Sequence, residues 1–256
     1  MERTRRWAAL AYGVACYAIF FGTFLYLIGW VGNFGVPTSI DSGRPGSLAL
    51  AVAVDAALLL LFGLQHSVMA RPGFKRAFTR VVPRSVERST YVLASSLVLV
   101  LLFWAWQPIP ALVWDAQGSV ARAILVAGSF LGYGIVLYST LLIDHFDLFG
   151  LRQVFLRWRG EAYTEKRFAI PGLYRWVRHP IYVGWIVAFW LTPSLSLGHL
   201  LFALALTAYI RVAIRYEERD LAVLLGEPYL RWRERTPKFV PRLGGSERPV
   251  GSAQEA

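Results

Sequence analysis

Four long apolar blocks in the first 143 residues constrain the fold more than any other feature of the sequence. Three of them contain no charged side chain: residues 8–31, 89–114 and 123–143. The fourth, residues 47–70, contains only Asp55 and His66 as ionisable groups. A helix of about 20 residues is long enough to cross a hydrocarbon core of about 30 Å. The blocks therefore predict an all-α polytopic membrane protein with about four full transmembrane helices.

A fifth apolar stretch, residues 181–210, is too long for one span and too short for two full spans with a connection. Its middle, residues 192–198, reads Thr-Pro-Ser-Leu-Ser-Leu-Gly, which is typical of a turn. The sequence therefore predicts a C-terminal transmembrane helical hairpin, whose second helix continues to about Leu225.

The basic residues indicate how these helices are oriented. If the N-terminus is cytoplasmic, 25 of the 27 Lys and Arg residues fall in the cytoplasmic segments 1–7, 71–88, 144–180 and 211–256. Cytoplasmic loops of membrane proteins are enriched in Lys and Arg, so both termini are predicted to be cytoplasmic. Topology and attraction to anionic membrane lipid explain the net charge of +11. The sequence therefore predicts no nucleic-acid partner, and it indicates no obligate protein partner.

A cationic turn, "GLYRWVRHPIYVG" at residues 172–184, precedes the predicted hairpin on the cytoplasmic side. Arg178 and His179 carry groups that can meet an anion, and Pro180 suits the first turn of a helix. The free N–H groups of that helix start favour an anion as well. The segment is either a ligand site or a positively charged membrane anchor.

Two carboxylates, Glu217 and Glu218, lie just beyond the apolar run in the second helix of the hairpin, on the same side. The hairpin returns them beside the helix that begins at Pro180. Cations on one helix and carboxylates on its neighbour fit a ligand that carries an amine, a carboxylate and hydroxyls. The alternative is that the carboxylates pair with Arg178, Arg211 or Arg215.

These motifs together resemble the isoprenylcysteine carboxyl methyltransferase and phospholipid methyltransferase superfamily. Its members bind S-adenosyl-L-methionine at the cytoplasmic face and release S-adenosyl-L-homocysteine, and they require no metal. The resemblance implies these cofactor-binding residues: Gly172, Tyr174, Arg178, His179, Pro180, Tyr182, Gly184, Glu217 and Glu218. Tyr229 and the closing segment 236–241 also fit the pattern, whereas Trp232 stands where the family has a second tyrosine.

The N-terminal half resembles one branch of this superfamily, the bacterial methanethiol S-methyltransferases. The similar segments are residues 61–75, 87–93 and 142–154. This resemblance implies an enzyme that methylates methanethiol to dimethyl sulfide and lies in the bacterial inner membrane. The alternatives are methylation of another small thiol, a lipid amine or a carboxylate, or a non-catalytic membrane accessory protein of the same fold.

Four ionisable residues lie near the inner ends of the second and fourth spans: His66, Asp144, His145 and Asp147. A thiol reacts as its thiolate, and a His or Asp within reach could take the thiol proton. These residues are therefore candidate catalytic groups. His66 as a hydrogen-bonded core histidine and Asp144 as a solvent-facing helix end are the alternatives. No metal site is predicted, because the histidines and aspartates lack the i, i+4 ligand spacing.

The motifs divide the chain into three parts. Residues 1–143 are predicted to form the transmembrane helices of the substrate side. Residues 144–241 form the cofactor-binding region with the Arg-His-Pro segment, the hairpin and the two glutamates. Residues 242–256 are polar and rich in Gly, Ser and Pro, which predicts a disordered tail.

Overall fold

The computed structural model describes residues 1–116, 118, 120–164 and 168–242. Ten α-helices occur in this part of the chain: α1 (Glu2–Gly32), α2 (Leu48–Ala70), α3 (Pro72–Phe78), α4 (Arg84–Ala105), α5 (Val120–Ile143), α6 (His145–Leu148), α7 (Leu151–Arg159), α8 (Pro180–Trp190), α9 (Leu197–Leu225) and α10 (Glu227–Arg235). A 3₁₀ helix occupies Gly172–Arg175. The predicted tail lies, from residue 243 onwards, outside the described residues.

Five of these helices are long and apolar enough to cross a membrane, namely α1, α2, α4, α5 and α9. The prediction of a helical integral membrane protein is confirmed. The first helix of the predicted hairpin, α8, has only 11 residues, which corresponds to about 16 Å of helix against a hydrocarbon core of about 30 Å. The chain then continues in extended form to α9, so α8 alone does not make a full span.

The structure adds two details to the predicted fold. The block 89–114 is not one continuous helix, because α4 ends at Ala105 and Pro108 and Pro110 follow, which lack the N–H that a helix needs. The chain is also not entirely α-helical. A short strand, β1 (Leu112–Asp115), pairs antiparallel with β2 (Ser194–Ser196) just before α9.

An aromatic core holds together the half of the bundle that lies opposite the basic segments. The indole of Trp30 on α1 is fully buried, and its ring centroid lies 5.2 Å from Phe103, 5.3 Å from Trp106 and 5.5 Å from Phe202. Aromatic side chains bury large apolar areas and prefer such edge and tilted contacts. The polar residues that the sequence indicates as functional lie at the other end of the bundle, near the basic segments.

Helix α8 is fixed by unusually close contact with α5. A Cβ built on Gly132 of α5 would lie 2.5 Å from the backbone nitrogen of Ala188 and 2.7 Å from the carbonyl oxygen of Gly184. A Cβ on Gly184 would in turn lie 2.7 Å from the carbonyl oxygen of Gly132. Glycine at both positions therefore lets the two backbones meet, which sets where α8 begins and where its first-turn side chains lie.

Candidate functional site

The cationic turn forms a compact bend immediately before α8. Gly172 has φ +49°, and a Cβ at this position would lie 2.7 Å from the side chain of Leu142 at the end of α5. Glycine satisfies both the backbone angle and the close approach. Pro180 is the first residue of α8, where a missing N–H breaks no helical hydrogen bond.

The side chains of Arg178, His179 and Glu218 form one buried cluster. Nε of Arg178 donates to Oε1 of Glu218 at 2.9 Å, and Nε2 of His179 lies 2.9 Å from the same oxygen. Only 5% of His179 and 8% of Glu218 is exposed. The hairpin therefore brings the cationic turn to the glutamates as predicted. For Arg178 and Glu218, the structure contains the charge pairing that the sequence left as an alternative.

Arg178 also anchors the chain that follows α10. Its Nη1 donates to the carbonyl oxygens of Arg233 and Thr236, at 2.7 Å and 2.5 Å. Its backbone N–H donates to the carbonyl oxygen of Pro237 at 2.9 Å, and the backbone N–H of His179 donates to the carbonyl oxygen of Lys238 at 3.2 Å. The last carbonyls of a helix need such partners. Arg178 therefore ties the segment 236–238 to the turn, a contact that the sequence does not reveal.

The other glutamate, Glu217, is joined to α8 through a tyrosine. The hydroxyl of Tyr182 donates to Oε2 of Glu217 at 2.8 Å. Tyr174 also interacts electrostatically with Glu217, and burial raises the pKa of Tyr174. The indole of Trp232 donates to the backbone carbonyl of Tyr174 at 3.2 Å, so the tryptophan that replaces the family's tyrosine supports the same turn.

Tyr229 provides a buried polar atom beside this cluster. The residue is 1% exposed, and within the described part of the chain its hydroxyl has no hydrogen-bond partner. Burial and the two neighbouring glutamates raise the pKa of Tyr229 to about 12, so the hydroxyl keeps its proton at neutral pH. The rings of Phe168 and Trp232 pack beside it, with centroids 6.1 Å and 5.5 Å away.

The predicted catalytic residues of the segment 142–147 form the start of the short helix α6: Asp144 precedes it, and His145 and Asp147 lie within it. Nε2 of His145 lies 2.7 Å from the hydroxyl of Tyr17 on α1, and Nδ1 lies 2.9 Å from the hydroxyl of Thr140. Burial lowers the pKa of His145, although the carboxylate of Asp144 opposes this shift. The side chain of Asp144 accepts from the backbone N–H of Asp147, and thereby caps the helix.

Asp147 accepts hydrogen bonds from three different side chains. Arg152 and Gln153 donate to Oδ1 at 3.3 Å and 3.0 Å, and the hydroxyl of Tyr163 donates to Oδ2 at 3.1 Å. The carboxylate thus joins α6 to the start of α7 and to the loop after it. These hydrogen bonds give Asp147 a structural role.

His66 belongs to a second polar cluster, between α2, α4 and α9. Nε2 of His66 lies 2.9 Å from the hydroxyl of Tyr91, and Nδ1 lies 3.2 Å from the hydroxyl of Ser95. The ring of Tyr209 meets His66 edge-on, and its hydroxyl accepts from Ser67 at 3.3 Å. The sequence did not indicate Tyr91 or Tyr209 as functional, because tyrosines are common near the ends of membrane helices.

The chain is similar in sequence to known methyltransferases. The model of the isoprenylcysteine carboxyl methyltransferase family matches residues 159–223. The chain is 50% identical to methanethiol S-methyltransferase 2 of Bradyrhizobium diazoefficiens, with 96% of this chain and 98% of the relative covered. It is also 50% identical to the methanethiol S-methyltransferase of Mycobacterium tuberculosis, with 93% and 97% covered. No solved structure matches the chain. The chain therefore belongs to the methanethiol S-methyltransferase family.

Proposed function

We propose that this protein transfers a methyl group from S-adenosyl-L-methionine to methanethiol and releases dimethyl sulfide and S-adenosyl-L-homocysteine. The observation that carries this proposal is 50% identity, over nearly the full length of both chains, to a relative named methanethiol S-methyltransferase 2. The hydrogen bond between Tyr182 on α8 and Glu217 on α9 also supports the proposal, because these two side chains offer polar groups that the methyl donor requires.

The chemistry of the inner cluster fits the donor. The carboxylate of Glu217 suits its amine or ribose hydroxyls, and the buried hydroxyl of Tyr229 offers a hydrogen bond that no described residue takes. The phenol rings of Tyr174 and Tyr182 suit a cationic sulfonium, which aromatic faces attract. These four residues are therefore the proposed contact groups for the donor.

The remaining predicted cofactor residues shape this site. Arg178, His179 and Glu218 bond to one another and to the segment 236–238, so they hold the turn against α9. Gly172, Pro180 and Gly184 determine the path of the backbone around it. In this proposal residues 144–241 form the donor side, and residues 1–143 supply the thiol side.

The reaction is an in-line displacement, for which the protein holds the thiolate at near-attack distance from the methyl group. The bound donor supplies an electrophilic methyl on a sulfonium. Positioning of the two reactants accounts for much of the acceleration in such reactions, and the apolar spans exclude water. A group from residues 65–67 or 142–147 assists by taking the thiol proton, with His66, Asp144, His145 and Asp147 as the candidates.

A direct assay tests the proposed function. Purified protein, incubated with methanethiol and S-adenosyl-L-methionine labelled in its methyl group, is expected to release labelled dimethyl sulfide into the headspace. The Glu217→Gln variant is expected to have at least about tenfold lower affinity for S-adenosyl-L-homocysteine, since removing a charged hydrogen-bond partner costs about 1.5–3 kcal/mol. Label found instead in lipid or in a carboxyl ester, or no transfer at all, would contradict the assignment to methanethiol.

We expect both termini on the cytoplasmic side of the bacterial inner membrane, since 25 of 27 basic residues fall in the segments placed there. Reporter fusions after residue 40 and after residue 241 test this arrangement. The first fusion is expected to report the periplasm and the second the cytoplasm. Two fusions on the same side would refute the predicted topology.

A further inference from the structure

The cluster around His66 contains two tyrosines to which the proposed methyl transfer assigns no role. Tyr91 comes from α4 and Tyr209 from α9, and both meet a histidine on α2. Tyr91 is only 8% exposed. His66 and Tyr209 are partly buried, and an ionisable side chain such as His66 within a membrane bundle is costly and marks a candidate functional site.

The imidazole of His66 is held on both sides. Ser95 lies at Nδ1 and Tyr91 at Nε2, while the ring of Phe62 stacks on the imidazole with centroids 5.3 Å apart. In the tautomer whose Nδ1–H donates to Ser95, Nε2 accepts from the hydroxyl of Tyr91, which lies 3.3 Å from the backbone carbonyl of His66 as well. A thiol proton can then reach Nε2 through that hydroxyl without moving the imidazole. A phenol hydroxyl can do this, because it both donates and accepts.

Tyr91 also interacts with one residue of the proposed donor site. Tyr182, whose hydroxyl donates to Glu217, interacts electrostatically with both Tyr91 and Tyr209. The positive charges of Arg71 and Arg88 act on Tyr91 as well. Positive charge favours an anion such as a thiolate, although Arg71 is also paired with Asp220 at 2.9 Å. The charged or titratable groups that act on this part of the bundle are Tyr209 on α9, Tyr182 on α8, Arg88 on α4 itself and Arg71, which directly follows α2.

The second histidine candidate has similar bonds but different surroundings. His145 also has both nitrogens bonded, to Tyr17 and Thr140. The hydroxyl of Tyr17 lies among phenylalanine rings, since Phe20, Phe21 and Phe146 all pack around Tyr17. Tyr17 therefore provides a matched comparison for Tyr91, as a phenol that bonds a histidine away from the cations.

We propose that Tyr91 relays the proton of the acceptor thiol to His66, which extends the proposed function and rests on it. The S–H proton passes to the phenol oxygen while the phenol proton passes to Nε2 of His66. The thiolate sulfur then forms its bond to the transferred methyl as the bond from that methyl to the donor sulfur breaks, which leaves neutral S-adenosyl-L-homocysteine. The proton on the imidazolium finally returns to water. Ser95 and Tyr209 are positioning residues that hold the ring.

The test measures kcat/KM for methanethiol against pH, under saturating donor, in Tyr91→Phe, His66→Gln and the double variant. Near pH 7 each single variant is expected to lose about 10²- to 10⁴-fold, the usual contribution of a general base. The double variant is expected to lose no more than the worse single one, because the two residues act as a unit. As pH rises through the ionisation of free methanethiol, the loss is expected to shrink, because solution then supplies the thiolate.

Two controls separate a proton relay from a structural role. The first control is Tyr12→Phe, which removes a hydroxyl that bonds to Thr90, the residue next to Tyr91 on α4. This variant is expected to keep the wild-type activity. Affinity for S-adenosyl-L-homocysteine, measured by calorimetry, is expected to stay unchanged in Tyr91→Phe and His66→Gln.

Three results would overturn the relay. The first is a loss of kcat/KM that is equal at every pH, and the second is a loss in the double variant that equals the sum of the two single losses in free energy. The third is a pH-dependent loss of kcat/KM in Tyr17→Phe instead of Tyr91→Phe. These results differ from failure of the proposed function itself. In that case the wild-type protein would form no dimethyl sulfide at any pH.

Discussion

Replacement of Glu218 with alanine is expected to lower the free energy of unfolding by about 3–5 kcal/mol, the usual cost of removing one partner from a buried ion pair. The guanidinium of Arg178 is 10% exposed and the carboxylate of Glu218 is 11% exposed. The variant would leave that guanidinium buried without its counter-charge, and it would also remove the acceptor for His179. Thermal unfolding in detergent, followed by circular dichroism, measures the effect.

A second acidic residue on α9 provides the control for this variant. Asp220 pairs with Arg71 at 2.9 Å, but the two side chains are 38% and 32% exposed. Exposed pairs contribute only about 0–1 kcal/mol, so Asp220→Ala is expected to unfold close to the wild-type temperature. If Glu218→Ala kept the wild-type stability and lost only donor affinity, Glu218 would be a ligand group and not part of the frame.

Replacement of Gly132 with alanine is expected to destabilise the protein by about 1–3 kcal/mol or more, the range for overpacking a tight contact. The added methyl would meet backbone atoms of Gly184 and Ala188 at 2.7 Å and 2.5 Å, and no side-chain rotation can relieve such a clash. Because α8 begins with the cationic turn, its displacement is expected to lower donor affinity as well as stability. Unfolding temperature and calorimetric affinity for S-adenosyl-L-homocysteine measure the two effects.

Gly134 provides the matched control on the same helix. A Cβ at this position has nothing within 4 Å, so Gly134→Ala is expected to leave stability and donor affinity near those of the wild type. Equal behaviour of the Gly132 and Gly134 variants would contradict the close α5–α8 contact described above.

The sequence predicted the membrane bundle and the meeting of the cationic turn with the glutamates, because long apolar blocks and one local turn signal determine both. It did not predict the end of α4 at Ala105. The cause is local, since Pro108 and Pro110 interrupt an uncharged block that otherwise looks continuous. Pairing of β1 with β2 joins residues about 80 positions apart, and no local pattern predicts such a contact.

The roles within the site were harder to predict for a different reason. Helices that are apolar on all faces lack the one-sided pattern that indicates which face points inward. The sequence therefore did not reveal that Tyr91 and Tyr209 both face His66. It also left open whether Arg178 meets a ligand or a glutamate. The backbone carbonyls of Arg233 and Thr236, which bond to Arg178 in the structure, have no signature in the sequence.

A structure of the protein with S-adenosyl-L-homocysteine bound tests most directly where the methyl donor lies. We expect the ligand at the inner end of α8 and α9, in contact with Glu217, Tyr182 and Tyr229, with its sulfur directed toward Tyr91. The frame of Arg178, His179 and Glu218 is expected to keep its hydrogen bonds. A ligand bound beside His145 and Asp147, or at the outer end near β1 and β2, would contradict the proposed site.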